Sequence, residues 1–229
     1  MNKRKKNLIL TGGIRHNFKE NTKAIDNILS NDGFDNKIEE NIFSGIELLN
    51  NEKFDLVTIM ALRWKMTNDK KYEPYREKWG LELTENIKKI FENYISTGGG
   101  LLALHTACIC FDDWFEWKKI LGGVWEWNKS FHPKIGPLKL QFTENKSEIL
   151  KGIKHFNIVD ELYSNLSFEK GIKVIVSAKT ENNSIEPVVW TNNYGKGKVV
   201  CDILGHDTNS ILNSNHKKLI INAANWTLS

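Results

Sequence analysis

"LTENIKKIFENYISTGGGLLALHTACIC", residues 83–110, decides how this chain is built. Ile87, Ile90, Phe91, Tyr94 and Ile95 recur at helical spacing behind Thr84, a residue type that caps helix starts. Gly98 ends the helix. "LLAL" (101–104) is then a short continuous apolar run, the pattern of a strand buried on both faces. His105 stands alone at its end. In many enzymes a turn at that place presents a nucleophilic Ser or Cys; here it presents an imidazole.

Working outward, the same alternation repeats. "NLILTGG" (7–13) reads as a first strand with a glycine turn, and "NTKAIDNILSNDGF" (21–34) as an amphipathic helix stopped at Gly33. "FDLVTIM" (54–60) is a buried strand. "RWKMTNDKKYEPYREKWG" (63–80) has no period and reads as a long loop, a length that in compact domains tends to carry function. "DDWFEWKKILGG" (112–123) is a capped helix with a glycine stop. Strand and helix in alternation predict an α/β protein with a mostly parallel central sheet and helices on both faces. The second half is β-rich, with strands expected over 136–142, 173–180, 187–193 and 197–204. "NNYGKGK" (192–198) reads as a hairpin turn in which Gly195 and Gly197 supply positive φ. "NHKKLIINAANWTL" (215–228) closes the chain as an amphipathic helix.

The 229 residues, 40% apolar and 26% charged, suit one domain spanning 1–229. The net charge of +4 is carried by Lys3, Arg4, Lys5 and Lys6, and without these four the remainder holds 28 charges of each sign. The basic excess is therefore a solvated tip, expected to be disordered over 1–6, and no nucleic-acid surface is expected. "LIL" (8–10) is too short for a signal segment, and no stretch is long enough to span a membrane. Cys108, Cys110 and Cys201 sit in apolar contexts, which reads as reduced, buried and cytoplasmic. A homo-oligomer is left open.

In open parallel sheets, ligands bind beyond the carboxyl ends of the strands. The residues that follow those ends are His16 after the first strand, Arg63 and Trp64 after the 54–60 strand, His105 and Thr106 after "LLAL", and His206 and Asp207 after 197–204. Any one histidine is compatible with a structural role; three delivered to one edge point to a site. His132 is a fourth candidate, whereas His155 and His216 read as surface residues. Imidazoles gathered there suit acid–base work near neutral pH, or a divalent metal with His105 and His206 as candidate ligands. "VDELY" (159–163) offers Asp160 and Glu161 as carboxylates and Tyr163 beside them. Trp64, Trp125, Trp127 and Trp190 lie in loops or at strand ends, where aromatic faces stack on sugar rings. "LTGG" and "STGGG" match neither phosphate-binding glycine pattern.

"LTGGIRHNF", "GGGLLALHTA", "LGGVWEWNKSFHP", "VDELY", "PVVWTNNYGKGKVV" and "LGHD" occur in an order that resembles the ThuA-like (trehalose utilisation) family, from about residue 7 to the C-terminal "NWTL". The resemblance implies a flavodoxin-like three-layer sandwich related to class I glutamine amidotransferases. It also implies a protein of sugar metabolism, acting on a disaccharide or keto-sugar derivative. Matching positions are His16, His105, Asp160, Glu161, Tyr163, Trp190, His206 and Asp207. With His105 at the elbow, cysteine-dependent amidotransferase chemistry is not expected. Catalysis by His105, His206, Glu161 and Asp160 is expected, with His16, Arg63, Trp64, Thr106, His132, Tyr163, Trp190 and Asp207 binding the carbohydrate. A non-catalytic carbohydrate-binding module and a metal-dependent hydrolase are the alternatives.

Overall fold

The first half alternates strand and helix, as the hydrophobic periods require: β1 (Lys5–Gly13), α1 (Phe18–Asn31), β2 (Phe34–Glu39), α2 (Ile42–Leu48), β3 (Leu56–Leu62), α3 (Glu73–Trp79), α4 (Glu85–Ser96), β4 (Gly100–Leu104) and α5 (Phe115–Leu121). The second half is strand-rich: β5 (Gly123–Val124), β6 (Gly136–Phe142), β7 (Asn157–Asp160), β8 (Ser167–Phe168), β9 (Lys173–Lys179), β10 (Ile185–Tyr194) and β11 (Gly197–Asp202). Helices α6 (Thr208–Ile211) and α7 (Ser214–Trp226) complete it. The computed structural model describes residues 4–143, 146–179 and 184–229.

Nine of the described strands form one sheet in the order β2-β1-β3-β4-β11-β10-β9-β6-β7. From β2 to β11 neighbours run parallel. From β11 to β7 they run antiparallel. The expected mostly parallel sheet is thus a mixed one. The reason is connection length: β10 and β11 are joined by a tight turn, and only antiparallel neighbours can be joined so briefly. Gly195 in that turn has the expected positive φ, +58°. Gly197 does not; it is required by closeness, since a Cβ there would lie 2.2 Å from the Ile95 carbonyl oxygen.

The sheet centre is the core. β3 and β4 are buried along their whole length. α4 packs against β11 of this sheet and against α2, and buries Ile87, Phe91 and Ile95, each contributing roughly 1.5–3 kcal/mol. Thr84 Oγ1 accepts from Ile87 N at 3.4 Å, and Gly98 leaves the helix at φ +123°. All three cysteines are free and buried.

Three expectations change. The 63–80 stretch is not an unbroken loop: it holds a 3-10 turn at Lys70–Tyr72 and α3. α3 buries no residue, so it leaves no hydrophobic period in the sequence. β2 and α2, which were not expected, are an edge strand and a seven-residue helix, too short to show a period. The basic tip lies outside the described residues at 1–3, but Lys5 and Lys6 open β1, and Arg4 donates to the carbonyls of Ser30 and Phe34. Thr180, expected to end a strand, also lies outside the described residues. No helix among the described residues is long and apolar enough to cross a membrane.

Candidate functional site

Three parallel strands end at one edge, and a distinct backbone device turns each of them. After β1, Gly12 and Gly13 take φ of +102° and +147°. A Cβ on Gly13 would lie 2.5 Å from the Leu62 carbonyl oxygen, so only glycine fits. His16 follows, immediately before Asn17, which caps α1. After β4, His105 itself adopts φ +46° and opens a 3-10 turn, His105–Ile109. Such strain in a non-glycine residue costs about 1–3 kcal/mol and persists only where the surroundings impose it. After β11, Gly205 takes φ +100° and delivers His206, followed by Asp207, which caps α6.

The fourth contributor comes from the antiparallel half. β7 is the far edge of the sheet, yet Glu161, the residue after it, lies beside His16. The sheet therefore curls, as strongly twisted sheets do. Asp160 fixes this closure. It is buried, and its carboxylate accepts from Gly205 N (2.7 Å), His206 N (3.2 Å), Glu161 N (2.7 Å) and the Ser210 hydroxyl. One carboxylate thus sets the positions of both Glu161 and His206.

His16 Nε2 and His105 Nε2 are 3.0 Å apart. Glu161 Oε2 is 3.7 Å from His105 Nε2, 3.9 Å from His16 Nε2 and 3.4 Å from His206 Nδ1. His132 Nδ1 lies 2.9 Å from the other oxygen, Oε1. The Tyr163 hydroxyl is 3.1 Å from His105 Nε2, and its ring stacks on that imidazole at 4.9 Å. His105 Nδ1 is 2.8 Å from the Ile203 carbonyl oxygen. A carbonyl only accepts, so Nδ1 carries the proton and Nε2 presents a lone pair to the cluster.

The electrostatics follow from burial and from one anion. Burial, then the neighbouring His16, pushes His105 down to about 3. Burial alone would raise the Glu161 carboxyl, but the imidazoles of His132, His16 and His206 crowded around it hold it far below the usual carboxylate range. The same contacts raise His132 and His206. Tyr163 is raised well above its ordinary value by burial and then by Glu161.

Over this floor opens a cavity of about 500 Å³, within the range of small-molecule sites. Trp64, Tyr72, Trp125 and Trp127 wall it. Tyr72 stands edge-on to Trp64 at 4.9 Å, and Trp127 tilts against Trp64 at 5.6 Å. Trp125 Nε1 is a buried donor with no partner. Arg15, at φ +72°, and Lys71 complete the lining toward the opening.

Of the expected site residues, His16, His105, Glu161, His206, His132 and Tyr163 are brought together, and Trp64 lines the cavity. The others are not brought to it. Trp190 is a core residue: it is fully buried in β10, donates to the Leu121 carbonyl at 2.8 Å and packs edge-on to Phe168. Arg63 is also buried and donates to the carbonyls of Trp79 and Glu40. Thr106 is buried and donates to Ala61 O at 2.6 Å. Asp207 is a helix cap, and Asp160 acts on the backbone rather than in the cavity. Tyr72, Arg15, Trp125 and Trp127 are lining residues the site assignment missed. The two tryptophans had carried a signal, as aromatics in a loop; Tyr72 had none beyond its place in the 63–80 stretch. His216, expected at the surface, is fully buried with Nε2 3.0 Å from Asp202.

Fold and site together define a mixed α/β protein with a histidine–carboxylate pocket at the carboxyl edge of its parallel strands. The family model described as ThuA, trehalose utilisation, matches residues 6–227, and the chain belongs to that family. Its structure is similar to a ThuA-like protein of Parabacteroides merdae ATCC 43184, with a TM-score of 0.80 and 20% identity over 99% of this chain and 91% of that one. It is also similar to a ThuA-like protein of Bacteroides uniformis ATCC 8492 (TM-score 0.71, 18% identity, 99% and 92% covered). A cytoplasmic protein of Salmonella typhimurium is a third (TM-score 0.67, 14% identity, 96% and 98% covered). At these identities the likeness carries the fold alone. No curated protein matches the chain.

Proposed function

We propose that this chain is an enzyme acting on a disaccharide or keto-sugar derivative, with the cavity above Glu161 as its active site. The observation that carries the reading is the pairing of two surfaces. Four polar side chains from four separate segments converge so that their reactive atoms lie within 4.8 Å of one another. The walls above them are aromatic, and one, Trp125, holds an unpartnered donor. Aromatic faces accept the apolar faces of sugar rings, and the lone donor suits a sugar oxygen. In this reading Trp125, Trp127 and Tyr72 hold the ring. His105 and His206 exchange protons with a hydroxyl or with the carbon beside a carbonyl. Glu161 stays anionic and anchors the imidazoles, while Asp160 is a positioning residue. Membership of a trehalose-utilisation family supports the substrate class.

The proposal extends to a single domain with flavodoxin-like layering, working in the cytoplasm on small molecules rather than on nucleic acid or membrane. Contacts of α1 with α6 and α7, and of α2 with α4, support helices grouped on the two faces of the sheet. The test is to incubate the protein with a panel of disaccharides and their keto forms and follow products by NMR. Product from at least one, lost in His105→Ala with the circular dichroism spectrum retained, is expected. Saturable sugar binding with no product from any would replace this reading by a carbohydrate-binding module, which has the same walls.

A further inference from the structure

We propose that His16 Nε2, His105 Nε2, His206 Nδ1 and a carboxylate oxygen of Glu161 bind one divalent transition-metal ion, with zinc favoured by the ligand set. The inference concerns the same site as the proposed enzyme but does not depend on which sugar it takes.

Distance is the first argument. Ligands about 2.0–2.1 Å from a tetrahedral zinc lie roughly 3.3–3.4 Å from each other. Here the separations are 3.0 Å between the two Nε2 atoms, and 3.4, 3.7 and 3.9 Å from Glu161 Oε2 to His206, His105 and His16; the full set lies within 4.8 Å, so His206 would move inward by a rotamer adjustment to close on an ion. Neutral imidazole nitrogens with one carboxylate suit zinc and its neighbours rather than magnesium or calcium.

Unsatisfied polarity is the second. His206 Nδ1 is buried and makes no well-formed hydrogen bond; its nearest polar neighbour is Glu161 Oε2 at 3.4 Å. His16 Nδ1 faces the Ile14 carbonyl at 3.4 Å, as His105 Nδ1 faces that of Ile203 at 2.8 Å. Carbonyl partners on the rear nitrogens turn both Nε2 lone pairs into the cluster 3.0 Å apart, with the Tyr163 hydroxyl, 3.1 Å from His105 Nε2, as a neutral donor beside them; a cation between the two nitrogens would satisfy both. Metal-bound histidines are oriented in this way, by a carbonyl on the nitrogen away from the ion. Glu161 is oriented too, its Oε1 held by His132 so that Oε2 faces the cluster.

Binding would be balanced by release of any proton held between the facing nitrogens. An ion there would supply Lewis acidity toward a sugar oxygen; with the ion bound, His105 and His206 act as its ligands, which replaces the proton exchange given to them in the metal-free reading while leaving the cavity and its substrate class as proposed.

The test needs no substrate. Protein purified without a metal-affinity tag and stripped with chelator is titrated with zinc chloride by calorimetry, then with Co²⁺ by visible absorption. About one ion per chain is expected, with the intense bands of four-coordinate cobalt. His206→Ala and Glu161→Gln should each weaken zinc binding by about 10–100-fold or more. No saturable zinc uptake by the wild type, or uptake unchanged in both variants, overturns the site. If either variant misfolds, the wild-type cobalt spectrum decides, and the weak bands of a six-coordinate hydrated ion overturn it. Zinc bound with no product from any sugar sinks the enzymatic reading alone. Metal-free protein that turns over a sugar while taking up no zinc sinks the metal site alone.

Discussion

Replacing Asp160 by Asn changes one oxygen into an amino group and should loosen the whole site. The carboxylate accepts four hydrogen bonds, two on each oxygen: Oδ1 from Glu161 N and His206 N, Oδ2 from Gly205 N and the Ser210 hydroxyl. An amino group at Oδ1 would face two backbone donors. At Oδ2 it faces only one, because the Ser210 hydroxyl can turn and accept. The amide therefore settles with its nitrogen at Oδ2, and Gly205 N–H is left buried without a partner. Losing one bond to a charged group costs about 1.5–3 kcal/mol, and the remaining bonds lose their charge assistance. The expected destabilisation is about 2–3 kcal/mol. For a chain of this length each kcal/mol lowers Tm by roughly 2–4 °C, so a fall of about 4–12 °C follows. Urea unfolding followed by tryptophan fluorescence, with calorimetry beside it, reads both quantities. A change below about 0.5 kcal/mol at unchanged denaturant slope would refute the role given to Asp160.

Other outcomes follow from the same geometry. His216 is fully buried, and although burial lowers its pKa, the Asp202 carboxylate raises it above the ordinary value. The protonated pair therefore stabilises the fold fully below about pH 6.5, the unfolded histidine value, and this contribution is lost as pH rises through the folded value. Urea midpoints of wild type and His216→Gln should converge with rising pH; a gap that does not change with pH contradicts the assignment. Trp125→Phe keeps the wall but removes its unpartnered donor, and should weaken sugar binding by roughly 2–10-fold without changing Tm; unchanged affinity would show that the donor faces no ligand. Burial pushes the Cys110 thiol up to about 12 and raises Cys108 and Cys201 as well. Iodoacetamide should leave all three unmodified in the native protein, and rapid labelling of any would contradict their burial.

The parts of this molecule that a sequence can show are those set by local pattern. α4 and β4 were legible because burial on one face of a helix and both faces of a strand each leaves its own period. His16, His105 and His206 were legible through the rule that ligands gather beyond parallel strand ends. Glu161 was legible only as a carboxylate in "VDELY". Its arrival beside His16 depends on how far the antiparallel half of the sheet curls, which no local pattern encodes. Trp190 misled because its sequence position near a turn resembles that of a wall residue, while its place on β10, opposite Cys201 of β11, buries it in the core. His216 misled in the opposite sense, since two lysines follow it in sequence while its own face of α7 meets Asp202. Tyr72 was hidden because α3 and the turn before it bury nothing.

The central claim is that Glu161 and the imidazoles around it form a working floor beneath a sugar-binding cavity. Comparing wild type with Glu161→Gln tests it most directly, on whichever disaccharide or keto-disaccharide the wild type converts. The exchange preserves shape and removes the charge on which His132, His16 and His206 converge. The account predicts a fall in kcat of about 100-fold or more with the fold intact. Turnover by Glu161→Gln at the wild-type rate would contradict it.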